Sequence, residues 1–258
     1  MILKDFQIKV IEALKNFYIE AEKQKSAVEK LDENLKSSMS FVDAVYNKLG
    51  FSHFADRPKN GVGEYYPRIC LKVPTGGGKT LIAIEAIREY QNLFVKNRTG
   101  LVVWITHREI IYRQTIEKLK DKSHAYRQML DQCSGDRTII LEKGQPLRRQ
   151  DVENNLVVLM LMIQSASKSS KENMRVFQDS SGYIDFFPLD NQYEKHKKLL
   201  EAIPNLDFIP DSLLNKKIVK TSLGNAIRIL KPLIIVDEFH TMFSDIAKDT
   251  LDSLNPLM

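Results

Sequence analysis

Four short apolar runs, alternating with stretches of helical spacing, constrain this chain more than any other feature. They are RICLKV (68–73), LVVWIT (101–106), NLVVLMLMI (155–163) and PLIIVDE (232–238). None shows the polar alternation of a half-solvated strand, and the β-branched LVVWIT is too short for a helix. Such runs suit strands covered on both faces. Between the first two, Leu81, Ile84, Ala86, Ile87 and Tyr90 recur at helical spacing over residues 79–94, and a second helical stretch runs from Arg108 to about Lys120. Strands alternating with helices predict an α/β domain around a mostly parallel sheet.

Two further segments flank that pattern. Leu3, Phe6, Val10, Leu14, Phe17 and Ala21 form the apolar stripe of an amphipathic helix, and FVDAVYNKLGF predicts a shorter second one. Residues 1–60 are therefore expected to be an N-terminal helical segment, and residues 61–258 the α/β domain. Residues 165–215 are polar and aromatic with three prolines, an expected insertion before the last apolar run. With 43% hydrophobic and 28% charged residues, the composition is that of a soluble globular protein. The net charge of +5 fits an acidic partner such as nucleic acid and fits an uncommitted basic surface equally well. Two cysteines, Cys70 and Cys133, exclude a disulfide framework. Lys4, Asp5, Lys9 and Glu12 interrupt the only apolar start, and no run approaches the ~18 residues of a membrane span. A cytoplasmic protein is expected.

The first apolar run empties into VPTGGGKT (73–80), and a helix is expected to begin directly after Gly78. A strand passing through glycines into a helix N-terminus leaves backbone N–H groups without acceptors at the positive end of the helix dipole, which suits a phosphate. Thr75, Gly76, Gly77 and Gly78 would let the backbone approach it, Lys79 would reach the β and γ phosphates, and the Thr80 hydroxyl would ligate Mg2+. The strict P-loop pattern has glycine where this chain has Val73. The competing reading is a glycine-rich surface turn. A P-loop also needs an acid at the end of another strand to hold the metal and a group to orient water. PLIIVDEFH offers Asp237 for the metal and Glu238 for the water, although two acids there would equally cap the following helix.

GGGKT together with D-E-F-H resembles the nucleotide site of superfamily 2 helicases, and most of all the Res subunit of type III restriction enzymes. LVVWITHREIIYRQT, KLKDKSHAYRQMLD, LVVLMLMIQSASK, MRVFQDSSGYIDFFP and SLGNAIRILKPLIIVDEFH extend the likeness over nearly the whole chain from Leu3. It implies a RecA-like P-loop fold, ATP and Mg2+ as cofactors, and duplex DNA as partner. By the same resemblance, Gln7 reads adenine, His240 couples the nucleotide to motion, and Thr106, Arg108, Gln114 and Gln164 lie beside a DNA strand. Chemistry alone leaves Gln7 a solvated helix residue and Arg108, Gln114 and Gln164 ordinary surface polars. The chain departs from its relatives at Thr106 and His107, where proline and threonine are common, and at Phe239, where alanine or proline is commoner.

The function expected from this is the first ATPase lobe of a DNA-dependent helicase or translocase in a restriction system. A second RecA-like lobe with its arginine fingers, and a nuclease domain, are expected to be absent from these 258 residues, and a modification methyltransferase would be a further partner. The alternative is a non-catalytic nucleotide- or DNA-binding fragment, or a regulatory module of a split motor. A P-loop kinase is disfavoured, because roughly 160 residues separate Lys79 from Asp237.

Overall fold

The computed structural model describes residues 3–32, 40–51, 57–74, 76–162, 181–211, 216–238 and 245–258. Its centre is a four-stranded sheet of β1 (Gly100–Thr106), β2 (Thr138–Glu142), β3 (Leu156–Met162) and β6 (Leu233–Val236), in the order β2-β3-β1-β6. All three pairings are parallel. Parallel neighbours require crossovers, and helices supply them. These are α4 (Glu109–Lys120) and α5 (Ala125–Ser134) between β1 and β2, α6 (Arg149–Asn154) before β3, and α8 (Leu223–Leu230) before β6.

The expected apolar runs of β1 and β3 are covered on both faces. Val102, Trp104, Val158 and Met160 join one core cluster, while Val103, Ile105, Val157 and Leu159 join another. The first cluster also takes in α1 (Asp5–Glu29) through Leu14, Phe17, Tyr18 and Ala21, and α2 (Phe41–Lys48) through Val42, Val45 and Tyr46. The N-terminal helices thus share the core of the α/β domain. Helix α3 (Lys79–Glu89) lies between them and the sheet and continues as a π-helical turn, Tyr90–Val95, ending at Lys96 with φ 51°.

One expected strand is not formed. Residues 68–73 run between Pro67 and the glycine loop without a ladder partner among the described residues. The backbone of Arg68 is taken by a side chain instead: its N–H donates to the Tyr46 hydroxyl at 3.1 Å, and that hydroxyl donates to the Arg68 carbonyl at 3.3 Å. Strand composition is present, but a strand exists only where a neighbour does.

Within the expected insertion, residues 165–180 and 212–215 lie outside the described residues. The described part holds a 3-10 turn (Ser181–Phe186), α7 (Tyr193–Ala202) and an antiparallel hairpin of β4 (Phe208–Asp211) and β5 (Lys216–Val219). Buried His196 joins them: its Nδ1 accepts from the Val219 N–H at 3.2 Å, and its Nε2 lies 3.1 Å from the Leu189 carbonyl. The last helix, α9 (Asp245–Asp252), precedes a stretch that returns to β6. Among the described residues no helix is long and apolar enough to cross a membrane.

Candidate functional site

The glycine loop closes as a turn in which the Gly77 N–H donates to the Pro74 carbonyl at 2.9 Å. Gly76 and Gly78 stand at φ 73° and 80°, a region that costs a residue with a Cβ roughly 1–2 kcal/mol. Gly78 is the N-cap of α3 and offers no side chain to its first turn. Among the described residues, the N–H groups of Gly78, Lys79 and Thr80 meet no backbone acceptor. An uncapped helix start behind a left-handed glycine is a cradle for an anion.

Gln7 has a place here that resemblance alone did not specify. It is buried, 5% exposed, and its Nε2 donates to the Gly77 carbonyl at 2.8 Å while its Oε1 accepts from the Lys4 N–H at 2.9 Å. The surface alternative is therefore not what is observed. This contact also explains the third glycine: a Cβ on Gly78 would lie 2.6 Å from the Gln7 Nε2.

Opposite the loop, β6 ends at the acidic pair. The Asp237 N–H donates to the Ile105 carbonyl at 2.9 Å, which extends the ladder by one residue. Glu238 then turns into the left-handed region at φ 59°, unusual for a residue with a side chain. The Lys79 Nζ lies 3.2 Å from the Glu238 Oε1. Burial first, and then the neighbouring Glu238 charge, push the Asp237 carboxyl above the usual carboxylate range, against the opposing pull of Lys79. A cation at this point would relieve two crowded acids. Loop and acids meet through the Lys79–Glu238 contact, beside the carboxyl end of β6.

The remaining expected residues divide. Thr106 ends β1 in register with Met162, is fully buried, and its hydroxyl has no hydrogen-bond partner among the described residues. Arg108, the N-cap of α4, and Gln114 on that helix are both exposed. Thr80 sits half-buried in the first turn of α3. Thr75, Gln164 and His240 lie outside the described residues.

Below the site, a cavity of about 650 Å3 opens between residues 66–73 and β6, with Lys79, Asp237 and Glu238 at its rim. Its lower end is closed by a cluster that sequence reasoning missed. The Arg68 Nη2 bonds to the Tyr66 hydroxyl at 2.7 Å and pairs with Asp252, to which Tyr66 also donates. No local pattern signals this contact, since Asp252 is 184 residues from Arg68.

A family model described as type III restriction enzyme, res subunit, matches residues 17–258. Gln7 precedes the matched residues. No curated protein and no solved structure matches the chain.

Proposed function

The chain belongs to the family of type III restriction enzyme Res subunits, and from that premise we propose that it acts as the ATP-binding lobe of a DNA-dependent ATPase. The family makes it a RecA-like P-loop domain of helicase type. The observation that carries the finer reading is the facing of an uncapped α3 N-terminus and a Lys79–Glu238 pair at 3.2 Å across the carboxyl edge of the sheet.

The residues fit a metal-bound nucleoside triphosphate. The amides of residues 78–80, which meet no backbone acceptor among the described residues, would take phosphate oxygens, and Thr80 and Asp237 would hold Mg2+, relieving the crowding at Asp237. When bound, Mg2+ supplies charge neutralisation across the phosphate oxygens. Lys79 would exchange its carboxylate partner for phosphate, and Glu238 would orient the attacking water.

Among the described residues lining the cavity, the cations are Arg68, Lys72 and Lys79, and Arg68 is committed to Asp252. The cation that stabilises developing charge on the transferred phosphoryl group would come from a second RecA-like lobe, a contribution of ~10³–10⁵ in rate. By the resemblance, duplex DNA would pass near Arg108 and Gln114, which are exposed, with Thr106, Gln164 and His240 as the further expected contacts, and a methyltransferase subunit would choose the site. The second reading, a nucleotide-binding module that never hydrolyses, differs only in lacking that second lobe.

Calorimetric titration of Mg-ATP decides the nucleotide assignment. Lys79→Ala removes the cationic phosphate contact and should cost ~2–4 kcal/mol of affinity. Equal affinity of the variant and the unaltered chain would remove the P-loop from the account. Hydrolysis by the chain alone should stay near background and rise when a second lobe and duplex DNA are supplied.

A further inference from the structure

We propose that Thr106 is a positioning residue of the nucleotide site, its hydroxyl donating to the Asp237 carboxylate, directly or through one water, so that the acid is aimed at a divalent cation. This deepens the nucleotide reading and rests on it. The starting observation is a hydroxyl where the rest of β1 has none. From Leu101 to Ile105 every residue of that strand is hydrophobic and buried. Thr106 closes the strand fully enclosed, and its hydroxyl meets no partner among the described residues. A valine would fill nearly the same space without stranding a buried donor, and buried polar groups without partners are rare. By resemblance Thr106 lies beside DNA, but an enclosed side chain has no surface to offer a nucleic acid.

The register of the sheet names the partner. β1 pairs with β6 from Val102 opposite Leu233 to Ile105 opposite Val236, and the Asp237 N–H on the Ile105 carbonyl carries the ladder one step further. Thr106 therefore stands opposite Asp237, on neighbouring strands about 4.8 Å apart. Alternation puts both on one face. Val102, Trp104 and Leu233 belong to the core that α3 covers, with Ile235 packed against it. Two residues on in each strand, Thr106 and Asp237 fall on that same side, the side from which Lys79 comes. On its other flank Thr106 is in register with Met162, whose side chain offers no oxygen.

The chemistry of the pair follows. Lys79 gives its ammonium to Glu238 at 3.2 Å, so the Asp237 carboxylate takes its donors from elsewhere. An ionised carboxylate has about four acceptor positions, and one that holds a cation keeps others for a neighbour to fix. A hydroxyl opposite it restricts the rotation of the acid and adds no charge. Carboxylates that bind metals are themselves hydrogen-bonded, and losing such a partner weakens metal binding by ~10–100-fold. The Thr106 hydroxyl is thus a burden to the fold and a help to the site, two roles that a pair of variants can pull apart.

The test uses Thr106→Val, which keeps the shape and removes the hydroxyl, and Thr106→Ser, which keeps the hydroxyl. Calorimetric titration of ATP at a series of Mg2+ concentrations gives the Mg2+ needed to tighten ATP binding halfway, and titration in EDTA gives the affinity without metal. Thr106→Val should need roughly tenfold more Mg2+ at unchanged affinity in EDTA, and Thr106→Ser should restore the original requirement. Denaturant titration without metal or nucleotide should find Thr106→Val at least as stable as the unaltered chain. An unchanged Mg2+ requirement in Thr106→Val, an equal loss in EDTA, or a Thr106→Ser variant that restores nothing overturns the proposal and leaves the nucleotide reading standing. Thr106→Val less stable than the unaltered chain overturns it too, because the hydroxyl would then have its partner within the fold. If the unaltered chain binds no ATP with or without Mg2+, the nucleotide reading falls, and this inference falls with it.

Discussion

The two halves of the sheet are built from the same kind of sequence and end in different states. On the β2-β3-β1 side, every residue of β3 from Leu156 to Leu161 and of β1 from Leu101 to Thr106 is buried, with helices over both faces. On the β6 side, Leu233 alone is buried within the strand, and the apolar run beyond it at 68–73 makes no ladder. Apolar composition licenses a strand, but packing from both sides makes one rigid. The proposed nucleotide site falls on the less consolidated half. Lys79, Asp237 and Glu238 all border the cavity, so the residues of that proposed site lean on a few pins rather than on a packed sheet.

The comparison breaks most readily at a pair of core truncations. Trp104 in β1 is fully enclosed, and Trp104→Ala should cost ~3–5 kcal/mol, the range for a large buried aromatic. Its register partner Ile235 in β6 is half-buried, and Ile235→Ala should cost only about 1 kcal/mol. Denaturant titration of both gives the answer. Equal losses would mean that the β6 side is as consolidated as the other, and the contrast between the halves would be gone.

A smaller effect sharpens it at one of the pins. If the Gln7 bond to the Gly77 carbonyl holds the loop, Gln7→Ala should weaken Mg-ATP and Mg-GTP together by about 1 kcal/mol, the worth of one hydrogen bond. Adenine reading by the remaining amide capacity adds an unequal loss, larger for ATP. Competition binding with both nucleotides separates the roles: an unchanged GTP affinity removes the pinning role, and an unchanged ratio removes the reading of adenine. Gly78→Ala should be worse than Gln7→Ala, because the new Cβ meets the Gln7 Nε2 and the backbone sits at φ 80°. Adding Gln7→Ala to it should restore only the part due to the clash.

What could be read from the sequence follows the same division. β1, β3 and β6 were legible because runs of apolar, β-branched residues mark strands of a covered parallel sheet, and GGGKT was expected to meet Asp237 and Glu238 because a P-loop needs an acid at the end of another strand. RICLKV misled because its pattern is that of a strand, while pairing depends on a neighbour far along the chain. β2 escaped notice because TIILE is brief and hemmed by charge, and its place beside β3 is set by tertiary contact. The β4–β5 hairpin runs to Val219, past the polar stretch that marked the insertion, because turn composition and strand ends need not coincide. The Gln7 amide bonds a carbonyl 70 residues away, which no periodicity encodes.

The smallest expected effect concerns the acid at the end of β6. Asp237 has its carboxyl pushed up by burial and by Glu238, so ionising it is harder in the folded chain than in the unfolded one. A carboxyl raised in this way favours the fold while it is protonated, fully so below the unfolded value of about 3.9, and that favour is lost as pH rises through the raised folded value. Asparagine has the shape of the protonated acid and does not titrate. Without nucleotide or metal, Asp237→Asn should therefore be slightly more stable than the unaltered chain at pH 7, with the gap closing toward pH 4. The same variant should bind Mg-ATP more weakly, since the acid that is costly to ionise here is the one that would hold the ion. Thermal melts across that pH range provide the check. A variant that is less stable at pH 7, or a gap that does not close on acidification, would show that Asp237 is comfortably charged and that the β6 end is already consolidated like the rest of the sheet.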